Sequence, residues 1–129
     1  MPFVEIFVSA TRKPAERRKL ADAVHRALVQ SVDVPPDDRF QALSVHAPEE
    51  LIADAAYMGI ARTPDFVAVR ITLRRGRSAA KKRALYQAIV AHAGEAIGVR
   101  AEDVLIVLSE NEPLDWSFGN GVAQYATSE

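Results

Sequence analysis

The pattern of apolar residues in the first half of the chain returns in the second half, 65 positions later. Residues that alternate with period two are followed in each half by residues with helical spacing. These are Val4, Ile6, Val8, Leu20 and Val24 in the first half, and Val69, Ile71, Leu73, Leu85 and Ile89 in the second. Each half, at about 2–46 and 67–111, is therefore predicted to form a strand, a helix and a strand.

Residues that favour helix ends support the two predicted helices. Pro14 suits the first turn of a helix, where its missing N–H costs nothing. In the second half, Ser78 is a suitable N-cap residue, and Gly98 marks the exit of the helix. Both helices are thus predicted to begin shortly after the first strand of their unit.

The last strand-like run, Val104–Leu108, is apolar at every position. Such a run is typical of a parallel strand covered on both faces, which predicts a central position in the sheet. Strand–helix–strand units make right-handed crossovers between parallel strands. The predicted fold is therefore α+β (α/β), with duplicated β-α-β units that form a four-stranded sheet with two helices on one face.

The sheet face away from the helices is also rich in apolar residues, and little of the chain remains to cover it. A homo-oligomer that packs its sheets inward is the simple solution. The tail at about 115–126 has a Gly-Asn-Gly turn between arms that bear aromatic residues, which predicts a small C-terminal hairpin. Its exposed Trp116 and Phe118 would need to dock on a neighbouring subunit.

Composition narrows the class of protein. The 129 residues suit a single domain spanning 1–129. The absence of cysteine excludes disulfides and thiolate chemistry, and a net charge of -1 gives no basic excess for nucleic acid. No apolar run reaches the roughly 20 residues of a membrane span, and no signal-peptide pattern is present, so a cytoplasmic location is expected. We find no metal-ligand spacing and no phosphate loop, and we expect no metal or cofactor. His46 follows a strand and could border a site, whereas His25 and His92 fall in helical segments.

Pro2 is the most informative single residue. Removal of an initiator methionine is expected when proline follows it, and the product is a free prolyl amine at the start of a strand. An α-amino group has a pKa of about 7.7–8.0 and can act as a base, an acid or a nucleophile. The repeat partner of Pro2 is Val67, so the strand itself does not require proline there. A retained Met1 would acylate the nitrogen and abolish this chemistry.

An N-terminal proline on a strand, followed by a duplicated β-α-β unit, resembles the tautomerase superfamily. Within it, three stretches are similar to the malonate semialdehyde decarboxylases, namely Asp33–Arg39, Arg75–Ser78 and Asp115–Gly121. The resemblance covers nearly the whole chain. It implies a homotrimer with active sites near subunit boundaries and a small carboxylate as substrate.

By this resemblance, Pro2 is the catalytic amine, and Asp38 is the acidic residue that positions water or tunes the amine. Arg75 and Arg77 are implied to bind the substrate carboxylate. The implied apolar wall consists of Trp116, Phe118 and Tyr125.

Structural roles remain open for some of these residues. Asp38 has a repeat partner, Asp103, at the same place before a strand, and Arg77 has Arg12 before a helix. Each pair could therefore serve local loop geometry. Arg75 has no charged repeat partner, which makes it the stronger functional candidate.

Three functions are compatible with these residues. The first is cofactor-independent decarboxylation of malonate semialdehyde or a similar short 3-oxo acid by Pro2. Tautomerase, hydratase or 3-haloacrylate dehalogenase activity on small carboxylates is the enzymatic alternative, and a non-catalytic trimer that binds small acids is the third. Nearby arginines would lower the pKa of the Pro2 amine, and Asp38 would raise it. A low pKa suits a general base and a high pKa suits a cationic donor, so this property separates the enzymatic alternatives.

Overall fold

Two β-α-β units form one mixed sheet in the computed structural model, which describes residues 2–126. The elements are β1 (Phe3–Ser9), α1 (Pro14–Val32), β2 (Phe40–His46), β3 (Val67–Arg74), α2 (Ala79–Ile97) and β4 (Val104–Asn111). The strand order is β2-β1-β3-β4, with parallel pairing inside each unit and antiparallel pairing between β1 and β3. The predicted four-stranded sheet with two helices is confirmed. Met1, on whose removal the Pro2 prediction depends, and positions 127–129 of the predicted domain lie outside the described residues.

The helix limits follow from local chemistry. In α1, Pro14 occupies the first turn, and the helix ends where Asp33 adopts a left-handed conformation with φ 60. In α2, the Ser78 side chain accepts a hydrogen bond from the Lys81 N–H at 3.2 Å, and Gly98 ends the helix with φ 69. A left-handed residue at this place satisfies the last carbonyls of a helix, and glycine adopts it without strain. Neither helix, within the range described, is long and apolar enough to cross a membrane.

Both helices pack against the same face of the sheet. Every second residue of β1 and β3 points into this layer, as the alternation of a strand requires. The buried core comprises Val4, Ile6, Val8, Leu20, Val24, Leu28, Val67, Val69, Ile71, Leu73, Leu85 and Ile89, among others. The two central strands are therefore β1 and β3, and they belong to different repeats.

The prediction that 104–108 forms a central strand is wrong, because β4 is an edge strand. Its side chains Val104, Ile106 and Leu108 pack against the core. The residues between them, Leu105 and Val107, are 49% and 46% exposed. The antiparallel junction between β1 and β3 places the two first strands at the centre and leaves β4 outside. The apolar second face of β4 therefore lies on an uncovered surface of the single chain.

This uncovered surface, the open face, is the side of the sheet opposite the helices. It is not uniformly apolar. Arg70 on β3 donates two hydrogen bonds to Glu5 on β1, both at 3.0 Å, and its guanidinium carbon lies 5.7 Å from the ring centre of Phe7. Phe3 and Leu105 on the same face are partly exposed. Such a face can be covered by protein at Arg70 and Glu5, because these two charges already pair with each other.

The C-terminal hairpin predicted at 115–126 is also not formed. Over these positions the structure has a 3-10 turn at Pro113–Asp115 and further turns, but no strand. The physical reason is that a side chain takes the place of backbone pairing. The Gln124 carboxamide accepts a hydrogen bond from the Phe118 N–H at 2.9 Å and donates one to the Gly119 carbonyl at 3.1 Å.

The connection between the repeats is held by buried polar groups. Asp103 is 2% exposed, and its carboxylate accepts hydrogen bonds from the Thr63 N–H at 2.8 Å and the Thr63 hydroxyl at 2.6 Å. Arg12, which is also buried, donates to the Asp65 carbonyl. The repeat partners of Asp38 and Arg77 are thus structural residues.

We expect Asp103→Ala to lower the free energy of unfolding by about 2–4 kcal/mol, because two partly buried donors of Thr63 lose their acceptor. Urea unfolding followed by circular dichroism measures this loss. Glu102→Ala is the matched control, since Glu102 precedes it in the chain and is exposed. A loss below about 0.5 kcal/mol in Asp103→Ala would contradict the structural role.

Candidate active site

Strand directions bring four chain segments to one end of the sheet, the site end. Here β1 and β2 begin and β3 and β4 finish, because β1 runs parallel to β2 and antiparallel to β3. Phe3 pairs with Phe40 and with Thr72, and Arg74 pairs with Asn111. Residues that are distant in sequence therefore meet at this end.

Pro2 lies at the site end, directly before β1, and is buried. The antiparallel register of β1 and β3 extends from Phe3 opposite Thr72, so Pro2 lies level with the last residues of β3. Its catalytic role stays a prediction.

Two arginines lie close together at the end of β3. The Arg77 guanidinium donates a hydrogen bond to the Arg74 carbonyl at 2.8 Å. The Arg74 guanidinium carbon lies 4.5 Å from the ring centre of Tyr125, within the range of a cation–π contact. Burial lowers the pKa of Arg77, and the positive charge of Arg74 lowers it further. Two positive charges in a partly desolvated place repel each other, and a bound anion relieves this repulsion. The arginine pair is therefore a favourable site for an anion.

Arg75, the stronger candidate by sequence, points elsewhere. Its side chain is 69% exposed and pairs with Glu112 at 2.8 Å. Sequence reasoning missed Arg74, although strand alternation could have found it. Arg74 continues the series of open-face positions on β3 that includes Arg70 and Thr72, whereas Arg75 lies beyond the end of the strand.

Asp38 lies just before β2, and its N–H donates to the Pro35 carbonyl at 3.0 Å. Its carboxylate is within electrostatic reach of the tail. Burial raises the pKa of the Tyr125 hydroxyl above its usual value, and the negative charge of Asp38 adds to this effect, while Arg74 and Arg77 oppose it. The Tyr125 hydroxyl is therefore neutral at physiological pH, and it lies within reach of the negative Asp38 and the positive Arg74 and Arg77.

The tail supplies an aromatic wall that crosses the site end from β4 towards β2. The Trp116 indole N–H donates to the Asn111 side-chain oxygen at 2.7 Å and so ties the wall to the end of β4. The Trp116 and Phe118 rings stack with centres 5.6 Å apart and an interplanar angle of 9°. Phe118 also contacts Phe40 at 5.9 Å and Tyr125 at 5.0 Å. Phe40 is a further wall residue that the sequence did not single out.

The family model for the tautomerase enzymes, Tautomerase_2, matches residues 38–119. The chain belongs to this family. Among curated relatives, the probable tautomerase YusQ of Bacillus subtilis (strain 168) is 37% identical over 96% of this chain and 98% of its own length. The probable tautomerase YrdN of the same organism is 30% identical over 100% of this chain and 99% of its own. The resemblance stated from sequence is confirmed.

Solved structures extend this tautomerase-family assignment. The FG41 malonate semialdehyde decarboxylase inhibited by 3-bromopropiolate is 41% identical, with a TM-score of 0.91 over 95% of this chain and 93% of that one. A second malonate semialdehyde decarboxylase, described with decarboxylase and hydratase activities, is 31% identical with a TM-score of 0.89 over 95% of each chain. A fused 4-OT that forms a symmetric trimer is 26% identical with a TM-score of 0.79 over 98% and 99%.

Each of the three histidines of this tautomerase-family chain has a partner of its own. His46 closes β2 at the opposite end of the sheet, where its ring centre is 6.0 Å from that of Phe7. His25 on α1 bonds the Pro36 carbonyl at 2.7 Å. His92 on α2 bonds the Gln30 side chain at 2.7 Å. The side chains that the structure brings together at the site end beside Pro2 therefore include Asp38, Arg74, Arg77 and Tyr125.

Proposed function

We propose that this tautomerase-family protein decarboxylates malonate semialdehyde or a similar short 3-oxo acid, with the Pro2 amine and without a cofactor. The observation that carries the proposal is the meeting of the Pro2 segment, the Arg74–Arg77 pair and the aromatic wall at one end of the sheet. The 41% identity to a malonate semialdehyde decarboxylase over 95% of the chain supports the same substrate class.

The arginine pair binds the substrate carboxylate in this proposal. Guanidinium groups donate charge-assisted hydrogen bonds in a planar arrangement that matches a carboxylate. Tight binding alone would oppose the reaction, because the carboxylate must become neutral CO2. The arginines assist by turning the carboxylate so that the breaking C–C bond aligns with the carbonyl system, and the aromatic wall favours the less charged product.

The aldehyde group of the substrate is the electron sink, and the Pro2 amine makes it a stronger one. The bond between the carboxylate carbon and C2 breaks, CO2 leaves, and the electron pair moves towards the aldehyde oxygen to give an enolate. A protonated Pro2 stabilises that oxygen by a hydrogen bond. A neutral Pro2 instead forms an iminium with the aldehyde, which releases water and is hydrolysed afterwards. In both routes C2 takes up one proton, and the products are acetaldehyde and CO2.

Incubation of the Met-processed protein with malonate semialdehyde tests this proposal. We expect acetaldehyde and CO2 to accumulate in NMR spectra at a rate proportional to the enzyme concentration. Intact-mass measurement of the same sample establishes that Met1 has been removed. The proposal is contradicted if the processed protein converts malonate semialdehyde no faster than the uncatalysed reaction does.

Tautomerase chemistry is the second candidate, because the two curated relatives at 37% and 30% identity are named probable tautomerases. A tautomerase needs a neutral Pro2 that removes a proton, and therefore a low Pro2 pKa. A nitrogen NMR titration of the Pro2 amine separates the two chemistries. Assays with the enols of 2-oxo acids and with 3-haloacrylates test the tautomerase and dehalogenase activities directly.

We further propose that the functional form is a homotrimer whose open faces pack inward, as the trimeric assembly of the fused 4-OT suggests. Leu105→Glu is expected to break this assembly, because it adds a charge to a half-exposed apolar position that the trimer would bury. Light scattering after size exclusion should give a monomer mass for this variant. Ala91→Glu, on the exposed surface of α2, is the control that should keep the parental mass. A Leu105→Glu variant that keeps the parental mass would contradict the interface.

A further inference from the structure

The tail brings Phe118 and Tyr125 into edge-to-face contact at 5.0 Å with an interplanar angle of 78°, although they are separated in sequence and lie on no strand. The backbone bonds in this region are local. Val122 N–H donates to the Gly119 carbonyl at 3.3 Å, and Ala126 N–H donates to the Ala123 carbonyl at 3.1 Å. Neither of these bonds joins the arm of Phe118 to the arm of Tyr125.

The Gln124 side chain joins the two arms. Its carboxamide oxygen accepts a hydrogen bond from the Phe118 N–H at 2.9 Å, and its amide nitrogen donates to the Gly119 carbonyl at 3.1 Å. One carboxamide thus supplies the donor and the acceptor that a partner strand would supply. We refer to this pair of hydrogen bonds as the Gln124 clamp.

The clamp is bonded to one residue of the aromatic wall and is adjacent in sequence to another. Gln124 is adjacent in sequence to Tyr125, whose ring packs against the Arg74 guanidinium at 4.5 Å. On its other side, Phe118 stacks on Trp116 and contacts Phe40. Glycines with positive φ at Gly119 and Gly121 leave this loop without intrinsic stiffness, so its shape depends on the bonds across it.

We propose that Gln124 is a positioning residue of the carboxylate site. The clamp fixes Phe118 and Tyr125 against each other, and the Tyr125 ring in turn fixes the orientation of the Arg74 guanidinium. The side chain of Gln124 is exposed, so the clamp contributes to the geometry of the site more than to the stability of the core. The kinetic part of this inference rests on the proposed decarboxylation.

Two substitutions separate the hydrogen bonds from the shape of the side chain. Gln124→Met keeps the length and loses both bonds, whereas Gln124→Glu keeps the acceptor for the Phe118 N–H and loses the donor. Gln87→Met, at an exposed position on α2, is the matched control. For Gln124→Met we expect KM for malonate semialdehyde to rise about tenfold with kcat changed by less than about threefold, because the carboxylate site is misplaced rather than removed.

Binding and exchange measurements add readouts that need no turnover. Trp116 is the only tryptophan in the sequence, so its fluorescence reports titration with malonate, an unreactive carboxylate probe. We expect the malonate Kd to rise about tenfold in Gln124→Met, with Tm within about 2 °C of the parent. Gln124→Glu is compared by amide exchange alone, because its added negative charge opposes malonate binding by itself. The Phe118 amide should exchange its hydrogen faster in Gln124→Met and stay protected in Gln124→Glu.

The outcomes distinguish the two proposals. If the parent binds malonate but does not decarboxylate the semialdehyde, the proposed function fails, and the malonate Kd of Gln124→Met still decides the clamp. Parental Kd and KM values in Gln124→Met would overturn the inference. So would a parent that does not bind malonate, or a Gln124→Met variant whose Tm and core amide protection fall together with its affinity.

Discussion

Pro2→Ala, in a chain freed of Met1, is expected to lower kcat for malonate semialdehyde by at least about 100-fold, in the range that general acid–base groups contribute. Alanine leaves a primary amine on a residue without a ring. Its nitrogen is free to rotate away from the aldehyde oxygen, whereas the pyrrolidine ring restricts φ and holds the secondary amine in place. Steady-state assays with acetaldehyde as the measured product test the expectation.

A variant that retains Met1 gives the complementary control, because it keeps the Pro2 ring and removes the basic nitrogen. It should lose turnover completely and still bind malonate, as followed by Trp116 fluorescence. Activity of Pro2→Ala within a few-fold of the parent would remove the amine from the mechanism. Loss of malonate binding in the Met1-bearing protein would instead indicate that the extra residue blocks the site.

Arg74→Gln is expected to lower kcat/KM by about 100-fold, because one or two charge-assisted hydrogen bonds to the carboxylate are each worth about 1.5–3 kcal/mol. Glutamine keeps a side chain of similar reach and removes the charge. The ring of Tyr125 loses its cationic partner in this variant, but the backbone bond from Arg77 to the Arg74 carbonyl does not depend on the substituted side chain. Arg77→Gln should cause a loss of similar size.

The neighbouring Arg75→Gln is the matched control for Arg74→Gln. Its guanidinium is 69% exposed and already paired with Glu112, so we expect a change of less than about threefold in kcat/KM. The two variants remove the same charge at adjacent positions, so long-range electrostatics cannot explain a difference between them. A large loss in Arg75→Gln with parental activity in Arg74→Gln would restore Arg75 as the carboxylate ligand.

The sequence was sufficient for the parts of the fold that depend on local pattern. Periodicity and capping chemistry predict which segments form the four strands of the sheet. They also predict the repeat at 2–46 and 67–111 and the helix ends at Pro14 and Gly98. The position of β4 could not be obtained in this way. An apolar run predicts a strand whose two faces are both covered, but it does not indicate whether the covering residues belong to the same chain.

The sequence predicted the residues of the candidate site better than it predicted the contacts between them. Asp38, Arg77 and the aromatic tail residues do lie at the site end with the Pro2 segment. The choice between Arg74 and Arg75 depends on the residue at which β3 ends, because alternate residues of a strand point to opposite faces. The sequence pattern does not locate that residue. The hairpin failed for a related reason, since a side chain, Gln124, makes the bonds that backbone pairing was expected to make.

The antiparallel junction of the two repeats gives the sheet an approximate twofold symmetry, so its two ends are versions of one another. Asp103 and Arg12 occupy at the far end the places that Asp38 and Arg77 occupy at the site end. There they bind the chain's own backbone at Thr63 and Asp65. The same two residue types thus lie at both ends of the sheet, and at the far end they bind the chain itself. We therefore expect substitutions of Asp103 or Arg12 to change the stability of the fold, and substitutions of Asp38 or Arg77 to change kcat/KM.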